Sequence, residues 1–373
     1  MRRLCCIWLC CLSILIAGCQ DRRVIEELGF IDTISADKAD KSEKGKEFML
    51  IGVSIPKIDP RAKEPSEIIF TTTQTFKEAR IHIASQTSRI LVSGQLRNVL
   101  FGSELASEGI WKQMDTLVRD PVIGQRVRVV VVNGKAAELL KMEYPQHPVF
   151  GNYLGKLLRN QAQANVVPEG YLYTFSRDYL DDGIDPVAPM IENHGKHVNI
   201  EGIALFKEDQ YVAKIPLEKA LFFAMLCDKM KQGEMSIDLS KGDERELLLL
   251  SAIRSNRKIK VKRTDHSAPL FEAHIQLDIM GTLREYIGPL NLENYGDQNQ
   301  LEKEIGQYIE KEAESVIQQM QRSKADSIGI GQYVRNSLSY QEWKKLDWRS
   351  VYPQVKVHVT ANVKVKDFGK ISR

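Results

Sequence analysis

The sequence predicts a mixed α/β to α+β fold, with an N-terminal α/β region followed by a C-terminal antiparallel sheet packed by one long helix. Three patterns carry that expectation. Phe271, Ala273, Ile275, Leu277 and Ile279 alternate with Glu272, His274, Gln276 and Asp278, and Val355, Val357, Val359, Ala361, Val363 and Val365 alternate with polar residues in the same way. Successive side chains of a strand point to opposite faces, so each stretch has one dry and one wet face, as in an antiparallel sheet. Leu301, Ile305, Tyr308, Ile309, Ala313, Val316, Ile317 and Met320 recur every three to four residues, the period of a helix that buries one stripe. Val129 to Val132 is apolar on both faces, as in a strand covered from both sides.

Taken in order, the chain opens with Arg2 and Arg3 before an apolar run from Leu4 to Ala17. That run of 14 residues fits the ~7–15 of a signal peptide's apolar region and is short of the ~18–20 that cross a bilayer. It leads into Leu15-Ile16-Ala17-Gly18-Cys19, a lipobox. Small side chains at Ala17 and Gly18 let a peptidase reach the bond, and the Cys19 thiol can take a diacylglycerol thioether. Residues 1–18 are thus expected to be removed, leaving Cys19 as an S-diacylglycerol, N-acylated cysteine that holds an exported chain on a membrane. A buried methylene contributes about 0.8 kcal/mol and one acyl chain binds only marginally, so several chains are needed for stable anchoring.

Composition narrows the rest. Without Arg2 and Arg3 the lysines and arginines fall from 52 to 50 against 49 acids, a net charge of +1 that argues against a nucleic-acid partner. Five of the six cysteines lie in the leader or at its end, so only Cys227 is left in the folded body and the core must hold without an intramolecular disulfide. Beyond residue 19 no apolar run approaches bilayer length.

Leu28 to Ile34 and Phe48 to Ile55 read as a first hairpin around the charged loop Asp37 to Lys46, with Ile68 to Thr73 a further strand and Phe76 to Thr87 a helix. Arg97 to Phe101, Glu104 to Val118, Val127 to Val132 and Ala136 to Met142 read as strand, helix, strand, helix. Residues 143 to 195 hold a helix near Tyr153 to Ala164 and a proline-rich stretch that reads as a linker, which places a domain boundary between 19–196 and 197–373. A hairpin around Glu208-Asp209 and a helix from Leu217 to Lys231 open the second unit.

Motifs of chemistry are scarce. There is no GxGxxG, GxxxxGK or GxSxG, and the Asn133-Gly134 turn reads as a plain strand-to-helix turn. His194 and His197 lie three apart with no Cys or third His nearby, as in a surface loop rather than a zinc site. His274 and His358 fall on wet strand faces, Cys227 sits among Phe222, Phe223, Met225 and Leu226 as a buried structural cysteine would, and Asp181-Asp182 reads as a turn with local hydrogen bonds. No catalytic, cofactor or metal site is therefore expected, and no enzyme.

Gly18-Cys19-Gln20-Asp21-Arg22-Arg23 with Ile25-Glu26-Glu27-Leu28 resembles the opening of the Ger(x)C family, the C subunits of spore germinant receptors; in that family a tryptophan commonly follows the lipidated cysteine, where this chain has Gln20. The resemblance continues through Phe101-Gly102-Ser103-Glu104-Leu105-Ala106, Gly109, Arg119-Asp120, Gly134-Lys135-Ala136 and Gly202-Ile203-Ala204-Leu205-Phe206-Lys207. It is strongest in Ala325-Asp326-Ser327-Ile328-Gly329-Ile330-Gly331, Trp343-Lys344-Lys345, Trp348, Tyr352-Pro353 and the valine-alternating strand up to Gly369. The succession, rather than any one motif, is specific. It implies a mixed α/β fold in about three domains and a non-enzymatic, lipid-anchored receptor subunit in the endospore inner membrane, working with integral-membrane A and B subunits in nutrient-triggered germination. The alternative is a solute-binding lipoprotein of an importer, which would show two similar doubly wound lobes; a lipid-anchored enzyme ranks third.

Overall fold

The computed structural model describes residues 27–39, 48–57, 64–227, 230–264 and 270–368, so Cys19 and the leader lie outside the described residues. Its first half is built on an eight-stranded sheet. β2 (Thr33–Lys38), β3 (Met49–Pro56) and β4 (Ser66–Thr73) form an antiparallel meander. The chain then passes through α1 (Phe76–Ala84) and β5 (Ile90–Val92) and returns as β6 (Asn98–Gly102), parallel to β2. β5 pairs separately with β1 (Leu28–Phe30). Helices α2 (Ser103–Glu108) and α3 (Trp111–Val118) lead to β7 (Arg128–Asn133), and α4 (Ala136–Lys141), α5 (Phe150–Gln163) and α6 (Leu172–Leu180) lead to β8 (Val187–His194). β9 (His197–Lys207) and β10 (Gln210–Pro216) close that edge, giving the order β10-β9-β8-β7-β6-β2-β3-β4 with the four central strands parallel.

The doubly apolar Val129 to Val132 behaves as its composition requires. Val129 and Val131, with Val99 and Phe101, pack under α1, α3 and α6; Val130 and Val132, with Leu100, pack under α4 and α5. All four valines are essentially inaccessible to solvent.

Three expectations are corrected here. The helix expected from Glu104 to Val118 breaks at Gly109, whose φ of +110° ends α2, and Asp209 of the β9–β10 turn restarts the chain as α3 by accepting the Trp111 amide. Asp37 is buried inside β2 rather than exposed in a loop. Residues 143 to 195 are no linker, because they contain α6 and β8, with Pro189 in a paired strand. The position 196/197, where the sequence places a boundary, lies in the turn between β8 and β9, which pair with each other.

The second half starts with α7 (Ala220–Cys227), then β11 (Met235–Asp238), β12 (Leu247–Arg263) and β13 (Phe271–Ile287), three antiparallel strands. The long helix α8 (Tyr295–Arg322) follows, then α9 (Ile330–Ser337), α10 (Tyr340–Lys345), α11 (Trp348–Val351) and the last strand β14 (Lys356–Val365). The alternation in β13 and β14 and the stripe on α8 are as read, and Leu301, Ile305, Ile309, Ala313, Val316, Ile317 and Met320 are buried together. The sheet is not wholly antiparallel, however: β14 pairs parallel to β13, Glu272 opposite Lys356 through Gly281 opposite Val365. Alternation reports which face is dry and is blind to direction, and a helix between two strands is the usual parallel crossover. Gly306 lets α8 approach closely, since a Cβ there would lie 2.9 Å from the Ala361 carbonyl oxygen.

Val359 is buried under α8 and Thr360 is exposed. Val359→Asp should therefore lose about 3–5 kcal/mol through an uncompensated buried charge, and Thr360→Asp should be nearly neutral; thermal unfolding of the two variants checks the face assignment, which fails if they melt together.

Candidate functional site

In doubly wound sheets the carboxyl ends of the parallel strands, with the helix N-termini that follow, commonly hold anionic ligands. Here that end is filled from within. The Asp37 carboxylate accepts the Ala136 and Ala137 amides at the start of α4, both at 2.7 Å. A Cβ at Gly102 would lie 2.1 Å from Asp37 Oδ1, so glycine is required there. Burial raises the Asp37 carboxyl and the two amides oppose it. The Asn133-Gly134 turn is thus structural, as the sequence suggests.

The most elaborate polar cluster joins the two halves. Asp185, just after α6, and Asp326, just after α8, exchange backbone and side-chain bonds. The Asp185 amide donates to the Asp326 carbonyl (3.1 Å), and the Asp326 amide donates to Asp185 Oδ2 (2.7 Å). Asp185 Oδ1 also accepts the Glu208 amide at 2.9 Å. The Asp326 carboxyl caps α9 by accepting the amides of Ile330 (2.9 Å) and Gly331 (2.7 Å), and takes the Trp348 indole N–H at 3.1 Å. Gly183 and Gly331 lie back to back: a Cβ on Gly331 would meet the Gly183 Cα at 2.7 Å and the Trp348 indole nitrogen at 2.4 Å. Around this centre Arg349 pairs with Glu208, and Arg335 with Asp181 at 2.5 Å. The Trp343 indole donates to Asp182 at 3.3 Å. Asp181 and Asp182 therefore bind partners more than a hundred residues away, rather than making the local bonds expected of a turn.

Asp326 falls in the Ala325-to-Gly331 segment that carries the family resemblance, whereas its pairing with Asp185 is not apparent from the sequence. The available signals were an Asp-Pro pair at the start of a strand and an Asp four residues before a helix, where side-chain oxygens often cap.

Among the described residues, the histidines are exposed or partly exposed. His274 and His358 face each other across β13 and β14 with ring centroids 5.2 Å apart. His194 approaches Glu192 (3.0 Å) rather than His197, and with Glu201 these three could hold a metal ion. Both carboxylates already have partners, Asn133 on Glu192 and Lys214 on Glu201. Cys227 is half-buried against the C-terminal core.

Burial pushes the Asp326 carboxyl up to about 7, the Asp185 charge adding to it while the Gly331 and Ile330 amides and the Trp348 indole pull it down. Burial likewise raises Asp185. Between the ordinary carboxylate range near 4 and about 7, the folded chain then holds more protons at Asp326 than the unfolded chain, so this site's contribution to stability is largest at low pH and falls as pH rises through that window. Asp326→Asn sets an amide N–H₂ against the N–H donors and should lose about 1–3 kcal/mol. Because the variant lacks the titration, its deficit against the parent should shrink from pH 5 to pH 8; thermal melts across that range test this, and a deficit that grows with pH refutes it.

Two family descriptions match in succession: "Spore germination protein N-terminal domain" over residues 21–193 and "Spore germination B3/ GerAC like, C-terminal" over residues 201–369. They meet at the β8–β9 turn. The chain is 27% identical to Spore germination protein GerQC of Bacillus cereus over 358 residues, which is 96% of this chain and 97% of that one. It is 25% identical to Spore germination protein A3 of Bacillus subtilis (strain 168), with 98% of each covered, and 22% identical to Spore germination protein KC of the same organism, with 95% and 93% covered. The crystal structure of the GerBC protein shares the fold at a TM-score of 0.54 and 13% identity, over 92% of this chain and all of that one. On these grounds the chain belongs to the Ger(x)C family of spore germination proteins.

Proposed function

We propose that this chain is the lipid-anchored C subunit of a nutrient germinant receptor, held by Cys19 on the outer face of the spore inner membrane and working with the integral-membrane A and B subunits. The observation that carries the reading is an arrangement along the sequence: a lipobox closing on Cys19, followed two residues later by the first of two spore germination domains that together fill the rest of the chain. No described helix is long and apolar enough to cross a membrane, and a diacylglycerol thioether with an N-acyl group at Cys19 would supply the attachment.

The subunit acts by association. Tethering raises the effective concentration of its surface at membrane partners, so a modest interface suffices for assembly. An importer's solute-binding protein would need two similar lobes with a cleft between them, whereas one eight-stranded and one four-stranded sheet, joined across a buried junction, have no such symmetry.

Cys19→Ala should leave an unprocessed or mislocalised precursor, read as retained Met1 in the mass spectrum of spore-membrane protein. Deleting the gene should abolish germination with particular nutrients and leave nutrient-independent germination intact. Null spores that respond normally to every nutrient, with a purified protein that binds a small solute tightly in calorimetry, would replace this reading with the importer.

A further inference from the structure

The amino end of the parallel strands is built differently from the closed carboxyl end. Thr33, Asn98 and Arg128 stand in register there, at the starts of β2, β6 and β7. Beside them lies a cavity of about 520 Å³ whose lining includes Arg97, Arg126, Arg128, Lys156 and Arg159 with Asn152 and Tyr171, and no acidic residue. Arg128 opens β7 and Arg126 lies in the turn before it, Lys156 and Arg159 come from one face of α5, and Arg97 from the turn before β6. None of the five forms an ion pair with a carboxylate among the described residues.

Arg128 is the built element. It is only 7% exposed, yet its guanidinium has one long hydrogen bond, 3.5 Å to the Tyr171 hydroxyl, and rests over the Tyr171 ring at 5.2 Å. A cation removed from water without a counter-ion is costly, and an aromatic face offsets only part of that. Gly155 of α5 lies next to it, where a Cβ would stand at ordinary contact distance, 3.7 Å, from Nη1. Two acids act on the group from outside the lining, Glu169 on Arg128 and Asp32 on Arg97. Among the described residues, five cations against two acids leave a positive excess.

We propose that this cavity binds a phosphate-bearing anion, with Arg128 at its floor and Arg126, Lys156 and Arg159 at its mouth. Guanidinium groups present paired N–H donors that match the oxygens of phosphate, and their convergence from separate elements favours an anion of charge two or more, or a phosphodiester headgroup, over a lone chloride. A second circumstance bears on the source. The Asp32 carbonyl accepts the Arg97 amide at 2.8 Å, so the chain passes beside the cavity at Asp32, five residues after Glu27. Glu27 is eight residues from Cys19, a reach of at most about 28 Å. On the anchored reading proposed above, the mouth lies within range of anionic lipid headgroups; a soluble phosphate would need no membrane.

The test uses the full-length protein in a non-ionic detergent, titrated by calorimetry with inorganic phosphate, with dihexanoyl phosphatidylglycerol and with dihexanoyl phosphatidylcholine at constant chloride. Arg126→Gln/Lys156→Gln/Arg159→Gln, all at exposed positions, and Arg128→Gln are the variants; the first keeps the test sound if the second fails to fold. At least a tenfold weakening in the triple variant is expected. Binding of free phosphate that the variant loses assigns a soluble anion, and binding confined to phosphatidylglycerol assigns a lipid headgroup. Either result supports the site and is independent of whether Cys19 is lipidated. Affinity unchanged in the triple variant, or no binding of either probe by the parent protein, overturns it.

Discussion

Asp185 and Asp326 each accept the backbone of a segment that would otherwise have no partner, and the joining of the two halves rests on that exchange. A helix start leaves amides unsatisfied, and α9 begins where water is excluded, so a carboxylate has to meet them. Asp326 does so and takes the Trp348 indole as well, which orients the Trp343, Trp348 and Tyr352 cluster against the core. Asp185 binds the Asp326 amide with one oxygen and the Glu208 amide with the other. Two carboxyls this close in a low-dielectric setting resist being charged together, and the amides aimed at them are what make the arrangement tolerable.

The same economy governs strand β9. Ala204 and Phe206 face the N-terminal core while Ile203 and Leu205, with Ile215 of β10, face the C-terminal one. A strand buried on both faces cannot belong to one half alone. That explains why the two family domains meet at the turn before β9 although the sheet continues through it. The tip of this hairpin serves both sides: Glu208 reaches Arg349, and Asp209 caps α3.

Much of this was legible from residues. The two-residue period of β13 and β14 and the helical stripe of α8 give faces correctly, because burial of a face is a local constraint repeated many times. Direction is another matter: β14 has the alternation of an antiparallel strand and lies parallel, since one edge strand can be dry on one side in either sense. The stretch from 247 to 258 carries no single two-residue period, for a specific reason. Leu248 and Leu250 are buried and so are Ile253 and Ser255, a change of parity that requires an irregularity, and Ala252 supplies it with a φ of +49° where the register shifts. The junction was illegible because the bonds that link its two sides, such as Asp326 to Asp185 and Trp343 to Asp182, join residues 141 and 161 positions apart, and no local period encodes such a pairing. Cys19, the one site residue the sequence singled out, lies outside the described residues.

The distribution of polar groups over the two ends of the parallel strands follows from where each end can find a counter-charge. At the carboxyl end Asp37 lies within the sheet, close enough to satisfy α4, and glycine at 102 makes room for it. At the amino end Asp32 is buried too, but it lies outside the cavity and acts on Arg97, while Arg128 points to a space with no acid in its lining. Among the described residues, one end is neutralised by the chain itself and the other is not. A fold that sets a carboxylate against unsatisfied donors at one end, and has none among these residues in the lining at the other, leaves a cationic site there for the proposed anion to fill.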